Sequence, residues 1–254
     1  MKKLMIAASA ALIATVGFSL ESANVVGYNN FGLRGNGAAI GVGSCFYNVD
    51  NTELTLGDLS VTGYVGEYMD FQVQAKELDG AGRGGTTYYW VDATVDGERF
   101  YGWYNDDGSV CYNALDLIPG EGLWIYSPSA DFKVQSAGSV PDRSITVTLR
   151  GNGAAKMVTN PMPTTMNLGD VEIKGYSGDY MDFQIQAKKL DGAGRGGTTY
   201  YWVDATVEGQ TFYGWYNDDG SVDYNDVDVA AGEGLWIYSP STSLYVEFPS
   251  PLAD

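Results

Sequence analysis

The sequence contains no histidine, and only two of its 254 residues are cysteines. Histidine is the most frequent general base and metal ligand, so its absence excludes Ser-His-Asp triads, Cys-His nucleophiles and histidine-liganded zinc hydrolases. Without a histidine to activate a thiolate, neither cysteine is expected to act as a nucleophile. No spacing of acidic residues singles out a catalytic carboxylate pair either. The composition therefore predicts a protein that is not an enzyme.

Cations are also scarce, because 14 Lys and Arg residues stand against 32 Asp and Glu residues, which gives a net charge of −18. A chain of this charge repels nucleic acid and anionic membrane surfaces. We therefore expect no nucleic-acid partner. The excess of acids serves solubility or, alternatively, the capture of divalent cations.

The only long apolar run lies at the N-terminus. Met1–Ser19 begins with Lys2 and Lys3, continues with apolar residues over Leu4–Val16, and ends with the small residues Gly17 and Ser19. This pattern predicts a secretory signal peptide over residues 1–19, too short for a membrane span. We expect an exported protein without a transmembrane segment, secreted to the extracellular space or held at the cell surface.

A repeated segment dominates the rest of the chain. Leu78–Val95 recurs without change as Leu190–Val207. The same offset relates Phe100–Val110 to Phe212–Val222 and Gly120–Ser129 to Gly232–Ser241. These matches indicate an internal duplication into two domains, residues 20–138 and 139–254, each of ordinary domain size. Divergence is uneven, since residues 40–55 share almost nothing with their counterparts. Gene conversion, or a constraint on the conserved hairpin, explains this better than neutral drift.

Short alternating segments with glycine-rich turns predict strands and no helix. We expect strands over Phe71–Lys76, Thr86–Val95, Phe100–Tyr104, Ser109–Asn113, Leu123–Ser127 and Phe132–Gln135, with counterparts in the second repeat. The predicted fold class is all-β, with two tandem β-sandwich domains of jelly-roll-like character.

One face of the conserved hairpin is rich in aromatic and polar residues. If the strands pair across the glycine-rich loop, the shared face holds Tyr88, Trp90, Asp92, Gln72 and Gln74, and in the second repeat Tyr200, Trp202, Asp204, Gln184 and Gln186. Such a face suits sugar stacking or a protein interface. It is equally the core face of a sandwich, and the sequence leaves the three alternatives open.

The two cysteines, Cys45 and Cys111, both occur in the first repeat and both lack a counterpart in the second. Because export favours oxidation, this joint presence predicts a Cys45–Cys111 disulfide, with two free thiols as the alternative.

The densest acidic cluster contains Asp218, Asp219, Asp223 and Asp226. Oxygen-rich loops with a glycine at the bend bind Ca²⁺, although this spacing departs from the EF-hand pattern. The loop is therefore either a Ca²⁺ site or a hairpin turn with solvated acids. No other cofactor is expected.

Several short motifs resemble a group of small exported bacterial proteins. They are the mature N-terminus Glu21–Tyr28, the Asn160–Pro163 segment followed by Leu168–Asp170, the Gly-Trp-Tyr at 214–216, the run 232–237 and the Phe-Pro-Ser-Pro-Leu ending at 248–252. The resemblance implies a duplicated, β-rich protein of the cell envelope or its surroundings, and it implies no activity, cofactor or active-site residue.

Two functions fit these observations. The first is an exported structural or cell-surface assembly protein that self-associates into filaments or a surface layer through strand edges, for which Asn24–Tyr28 and Leu244–Phe248 are the candidate edge strands. The alternative is a bivalent carbohydrate-binding module whose partner is a polysaccharide, bound on the exposed Tyr/Trp strand faces.

Overall fold

A computed structural model describes residues 26–33, 39–43, 46–48, 52–64, 74–77, 85–126, 132–149, 154–176, 186–189, 198–239, 243–250 and 252. Within these residues the regular structure is strand, apart from two three-residue 3-10 turns, Leu56–Asp58 and Leu168–Asp170. The predicted all-β class is confirmed. The predicted signal peptide, Gln72 and Gln184 lie outside the described residues.

Ten strands among the described residues form the first half of the molecule, which we call unit 1. They are β1 (Val26–Leu33), β2 (Ala39–Gly43), β3 (Leu54–Thr55), β4 (Ser60–Thr62), β5 (Gln74–Glu77), β6 (Thr87–Val95), β7 (Glu98–Tyr104), β8 (Asp116–Leu117), β9 (Gly122–Tyr126) and β10 (Phe132–Ser139). They form a three-stranded sheet in the order β1-β10-β4, a five-stranded sheet in the order β2-β9-β5-β6-β7, and the pair β3-β8.

In the described part of the second half, ten further strands form unit 2. They are β11 (Ile145–Leu149), β12 (Ala154–Thr159), β13 (Met166–Asn167), β14 (Glu172–Lys174), β15 (Gln186–Lys189), β16 (Thr199–Val207), β17 (Gln210–Tyr216), β18 (Asp228–Val229), β19 (Gly234–Ser239) and β20 (Leu244–Phe248). Their sheets have the orders β11-β20-β14, β12-β19-β15-β16-β17 and β13-β18, so each strand of unit 1 has a counterpart ten strands later. The domain boundary predicted at 138/139 falls one residue before the end of β10.

Each unit encloses its own core between the three-stranded and five-stranded sheets, as in a sandwich. In β10 the inward residues Phe132 and Val134 are buried and Lys133 is exposed; in β20 Leu244 and Val246 are buried and Tyr245 is exposed. Alternation of this kind places every second side chain on the core face. The five-stranded sheet of unit 1 contributes Tyr88, Trp90, Trp103, Leu123 and Ile125 to the same cluster.

The hairpin between β6 and β7 turns at Asp96 and Gly97, which have φ angles of +50° and +85°. Glu208 and Gly209 repeat this geometry in unit 2, with φ angles of +51° and +84°. Positive φ at both central residues matches the twist of antiparallel strands, which is why Asp-Gly and related pairs form tight hairpins.

Residues 109–113 were predicted as a strand, and this prediction is wrong. Only Cys111 forms an isolated bridge, to Tyr104, while Asn105–Gly108 make a turn closed by the Gly108 N–H donating to the Asn105 carbonyl at 3.2 Å. The alternating pattern there is short, and the polar residues use their side chains to bond their own turn.

The two units contact each other through their five-stranded sheets. Strand β12 lies against both β2 and β9, and β19 lies against β2. Because β2 corresponds to β12 and β9 to β19, these contacts are equivalent in pairs, as in an isologous interface with a two-fold axis. Trp124 and its counterpart Trp236 meet edge to face, with ring centroids 6.1 Å apart.

The interface also contains a sequence difference between the two units, at β2 and β12. Met157 and Thr159 of β12 stand where β2 has Gly41 and Gly43, and the unit 2 pair packs on Gly122. A Cβ atom on Gly122 would lie 2.6 Å from Met157 Cγ and 2.6 Å from Thr159 Cγ2. Equivalent positions lie close together about a two-fold axis, so large side chains fit on one strand only when the other has small residues.

Candidate functional site

The aromatic residues of the predicted binding face belong to the core. Trp90 and Trp202 are each 1% exposed, and Tyr88 and Tyr200 are also buried. Of the three alternatives left open by the sequence, burial in the sandwich is the one that the structure shows. A glycan cannot stack on rings that the opposite sheet covers, so the predicted Tyr88/Trp90 and Tyr200/Trp202 binding faces are wrong.

The strand register gives the second part of this correction. Tyr88 lies opposite Ala75, whereas Gln74 lies opposite Tyr89, and in unit 2 Gln186 lies opposite Tyr201. Since directly opposite residues share a face, the glutamines are on the side of the sheet away from Tyr88 and Trp90. A shift of one residue in the hairpin register accounts for the error.

The outer margin of that face is nevertheless accessible. Asp92 lies opposite Tyr101, which is 48% exposed and packs edge to face on Trp90 with ring centroids 5.0 Å apart. Arg99 forms an ion pair with Asp92, and its guanidinium carbon lies 5.7 Å from the centre of the Tyr101 ring. An acid, a cation and a phenol thus adjoin at the rim of the sandwich.

Unit 2 has the same margin with different charges. Tyr213, opposite Asp204, is 46% exposed, and Thr211 replaces the arginine. Burial raises the pKa of the Tyr213 phenol, the charge of Glu172 raises it further, and Lys174 opposes the shift. The cation of this margin therefore comes from β14 of the three-stranded sheet.

Cys111 is a free, exposed thiol, so the predicted Cys45–Cys111 disulfide is not formed in the structure. Cys45 lies outside the described residues. The local partner of Cys111 is Tyr104, to which it is bridged; burial raises the pKa of this phenol, and the charge of Cys111 and a hydrogen bond with its side chain raise it further. Asp223 occupies the equivalent place beside Tyr216.

The acidic loop of unit 2 uses its carboxylates within the turn. Asp219 Oδ1 accepts the Ser221 N–H at 2.9 Å, and Asp223 Oδ1 accepts the Asn225 N–H at 2.7 Å. The hydrogen bond with the Ser221 side chain is the main cause that lowers the pKa of Asp219. Asp218 and Asp226 are exposed. Among the described residues, no three His, Cys, Asp or Glu side chains come together in a group that could hold a metal ion.

The motifs shared by the repeats meet at one packing point in each unit. The Asn113 side chain lies over Gly102, where its Oδ1 accepts the Trp103 N–H at 2.8 Å and its Nδ2 donates to the Tyr101 carbonyl at 3.0 Å. The Gly57 N–H donates to the Asn113 carbonyl at 2.9 Å. Gly169, Gly214 and Asn225 repeat this arrangement. We call it the asparagine lock. Because β7 and β17 end their sheets, the lock satisfies part of an otherwise open strand edge.

Asn160 of the Asn-Pro-Met-Pro segment is likewise structural. It is fully buried, its Oδ1 accepts the Met162 N–H at 2.9 Å, and its Nδ2 donates to the carbonyls of Thr164 and Val229 at 2.8 and 3.0 Å. These hydrogen bonds hold the surrounding loop in place, and the buried amide is not accessible to a ligand.

The two predicted edge strands have different outcomes. Leu244–Phe248 is β20, the central strand of its sheet, so the prediction that it is an edge strand is wrong. The structure describes the predicted edge Asn24–Tyr28 from Val26 onward. This part belongs to β1, which lies at the edge of its sheet and pairs only with β10 among the described strands. Tyr28 of this strand is 62% exposed.

No protein-family model, no curated protein and no solved structure matches this chain. Among the described residues, no helix is long and apolar enough to cross a membrane.

Proposed function

We propose that the mature chain is an exported structural protein of the cell surface that self-associates through the open edge of β1. This edge is the observation on which the proposal rests. Eight consecutive residues of β1 pair with β10 on one side, and no described strand pairs with the other side. Unpaired N–H and C=O groups along an edge strand are a template for strand addition.

The other long edges are occupied, which favours β1 as the place of contact. The asparagine lock covers part of β7 and β17, and β12 lies against β2 and β9 of unit 1. In unit 2 the counterpart of β1 is β11, a shorter edge strand of five residues. Among the described strands, each molecule therefore has one long open edge.

Hydrogen exchange of the mature chain (residues 20–254) tests the proposal. Sedimentation velocity first identifies the concentrations at which the chain is monomeric and those at which it is assembled. The exchange of the backbone amides is then compared between the two conditions. We expect the β1 amides that point away from β10 to exchange quickly in the monomer and slowly in the assembly. Residues 245–247 of the central strand β20 are the internal control, because they pair with β11 on one side and with β14 on the other in either state. A monomer at every concentration, or an equally rapid exchange of β1 in the assembly, contradicts the proposal.

A second candidate, a bivalent carbohydrate-binding module, is favoured by the equal exposure of Tyr101 and Tyr213 beside Asp92 and Asp204. Exposed phenols next to carboxylates suit stacking and hydrogen bonding to sugars, and two such sites in one chain give avidity on a polymer. The double variant Tyr101→Ala/Tyr213→Ala is expected to lose retention on a polysaccharide column that retains the wild type. Retention equal to that of the wild type contradicts this candidate.

A further inference from the structure

The outward faces of the two three-stranded sheets occupy equivalent positions but carry different side chains. The register aligns Lys133 with Tyr245 and Gln135 with Glu247 on the central strands. On the neighbouring strands it aligns Ser60 with Glu172 and Thr62 with Lys174. All four pairs differ, whereas the inward residues of the same strands, such as Val134 and Val246, stay apolar. The core alone does not require this divergence of the outward faces.

The two faces differ in the sign of their charge. The described outward residues of unit 1 include one cation, Lys133, and no anion. Those of unit 2 include Glu172 and Glu247 with the single cation Lys174, which is engaged in an ion pair with Glu172. Glu247 is therefore the acid of this face that has no ion pair among the described residues. Lys133 is exposed and Glu247 is half-buried.

We propose that the outward face of unit 1 in one molecule binds the outward face of unit 2 in a second copy of this chain, with Lys133 opposite Glu247. Both faces belong to three-stranded antiparallel sheets, which can pack face to face, and their charges attract. Pairing unit 1 with unit 1 opposes lysine to lysine, and pairing unit 2 with unit 2 opposes two acidic faces. The charges thus select one of three combinations.

The geometry of this contact makes the assembly open-ended. A contact between unit 1 of one copy and unit 2 of the next leaves one face of each kind free, which is a heterologous interface. Strand addition along β1 joins two copies edge to edge, and the face contact uses a different surface of each copy. This inference rests on the proposed self-association, and it adds the contact that propagates the assembly beyond an edge-to-edge pair.

Charge reversal and charge exchange test the contact at constant ionic strength. Lys133→Glu and Glu247→Lys are each expected to raise the concentration for half-assembly about tenfold, as measured by sedimentation velocity. The double variant Lys133→Glu/Glu247→Lys restores opposite charges and has the net charge of the wild type, so its value is expected to return to within about threefold. Near-ultraviolet circular dichroism verifies that each variant is folded.

Two control variants distinguish an effect of the local contact on assembly from an effect of the net charge of the chain. Arg143→Glu and Asp116→Lys make the same changes in net charge at exposed residues outside the two faces. Both are expected to leave assembly unchanged. If Asp116→Lys shifts assembly as much as Glu247→Lys does, or if the double variant fails to recover, the inference is overturned while the proposed function stands. A wild-type chain that remains monomeric contradicts the proposed function itself, and this inference with it.

Discussion

At the scale of single residues, the four buried tryptophans of the hairpins differ in whether the indole N–H has a partner. Trp103 Nε1 donates to the Leu59 carbonyl at 3.2 Å, and Trp215 Nε1 donates to the Val171 carbonyl at 2.9 Å. Trp90 and Trp202 bury the same group without a hydrogen-bond partner in the described part of the chain. Burying a polar group unpaired costs free energy that the hydrophobic rings must outweigh.

This difference predicts unequal effects of the same substitution. Trp215→Phe leaves the Val171 carbonyl unpaired in the core, whereas Trp202→Phe removes a donor that has no partner. We expect Trp215→Phe to lower the free energy of unfolding by about 2 kcal/mol more than Trp202→Phe does. Urea unfolding followed by tryptophan fluorescence and circular dichroism measures the difference. Equal losses would show that the hydrogen bond contributes nothing.

The tyrosines beside Cys111 and Asp223 predict alkaline sensitivity. Burial raises the pKa of Tyr104 and of Tyr216, and the charges of Cys111 and Asp223 raise it further. The folded protein then keeps protons that the unfolded chain releases near pH 10, so stability falls as pH rises above about 10 and through the raised pKa. We expect this fall to be smaller in Tyr216→Phe and smaller still in Tyr104→Phe/Tyr216→Phe. Urea midpoints between pH 8 and 11, with absorbance at 295 nm, measure it; identical slopes in all three proteins would contradict it.

At the scale of elements, the asparagine lock is the feature that joins the shared motifs. Gly214 has a φ of +122°, and a Cβ atom there would lie 2.1 Å from Asn225 Oδ1. Gly214→Ala therefore combines an unfavourable backbone conformation with displacement of the amide that bonds Trp215. We expect it to lower the free energy of unfolding by about 3 kcal/mol.

Gly32→Ala is the matched control, since no atom lies within 4 Å of the added Cβ and its φ is not in the left-handed region. Its effect is expected to stay within about 0.5 kcal/mol. Chemical unfolding of both variants measures the two values. A Gly214→Ala protein as stable as the control contradicts the role of the lock.

The elements also show what the sequence could and could not predict. Alternation and turn residues predicted the all-β class and located β6, β7, β9 and the start of β10, because period-two burial is a local property. The pairing register was missed by one residue, so Tyr88 was expected beside Gln74 rather than Ala75. Register depends on the loop that joins two strands, and a run of four glycines around an arginine does not specify it.

The edge strands and the asparagine lock were harder to predict from the sequence than the strands themselves. The central position of β20 depends on its pairing with both β11 and β14, which are distant in the chain. The hydrophobic periodicity of a strand does not indicate which distant strands pair with it. The lock did leave a signal, because Gly102 and Asn113 recur together as Gly214 and Asn225. A glycine retained in a strand interior is a sign of close approach by another group.

At the scale of the whole molecule, the two similar units differ in sequence at the surface where they contact each other. Glu121 of unit 1 forms an ion pair with Lys156 of unit 2, and the Thr159 N–H donates to the Gly120 carbonyl at 2.9 Å. Lys156 stands where unit 1 has Ile40. The uneven divergence of residues 40–55 therefore coincides, over β2, with a surface at which equal side chains would meet.

The pairing of Gly122 with Met157 provides the test of this account. Met157 is fully buried, and a methyl group on Gly122 would lie 2.6 Å from its Cγ. Gly122→Ala is expected to cost about 2 kcal/mol by overpacking, and Met157→Ala about 3 kcal/mol by leaving a cavity. Because the added methyl occupies part of that cavity, the double variant is expected to lose at least 1 kcal/mol less than the two losses added together. Chemical unfolding of the four proteins closes the cycle. Strictly additive losses would mean that the two residues do not touch, and that the repeats diverged over β2 and β12 for a reason other than their contact.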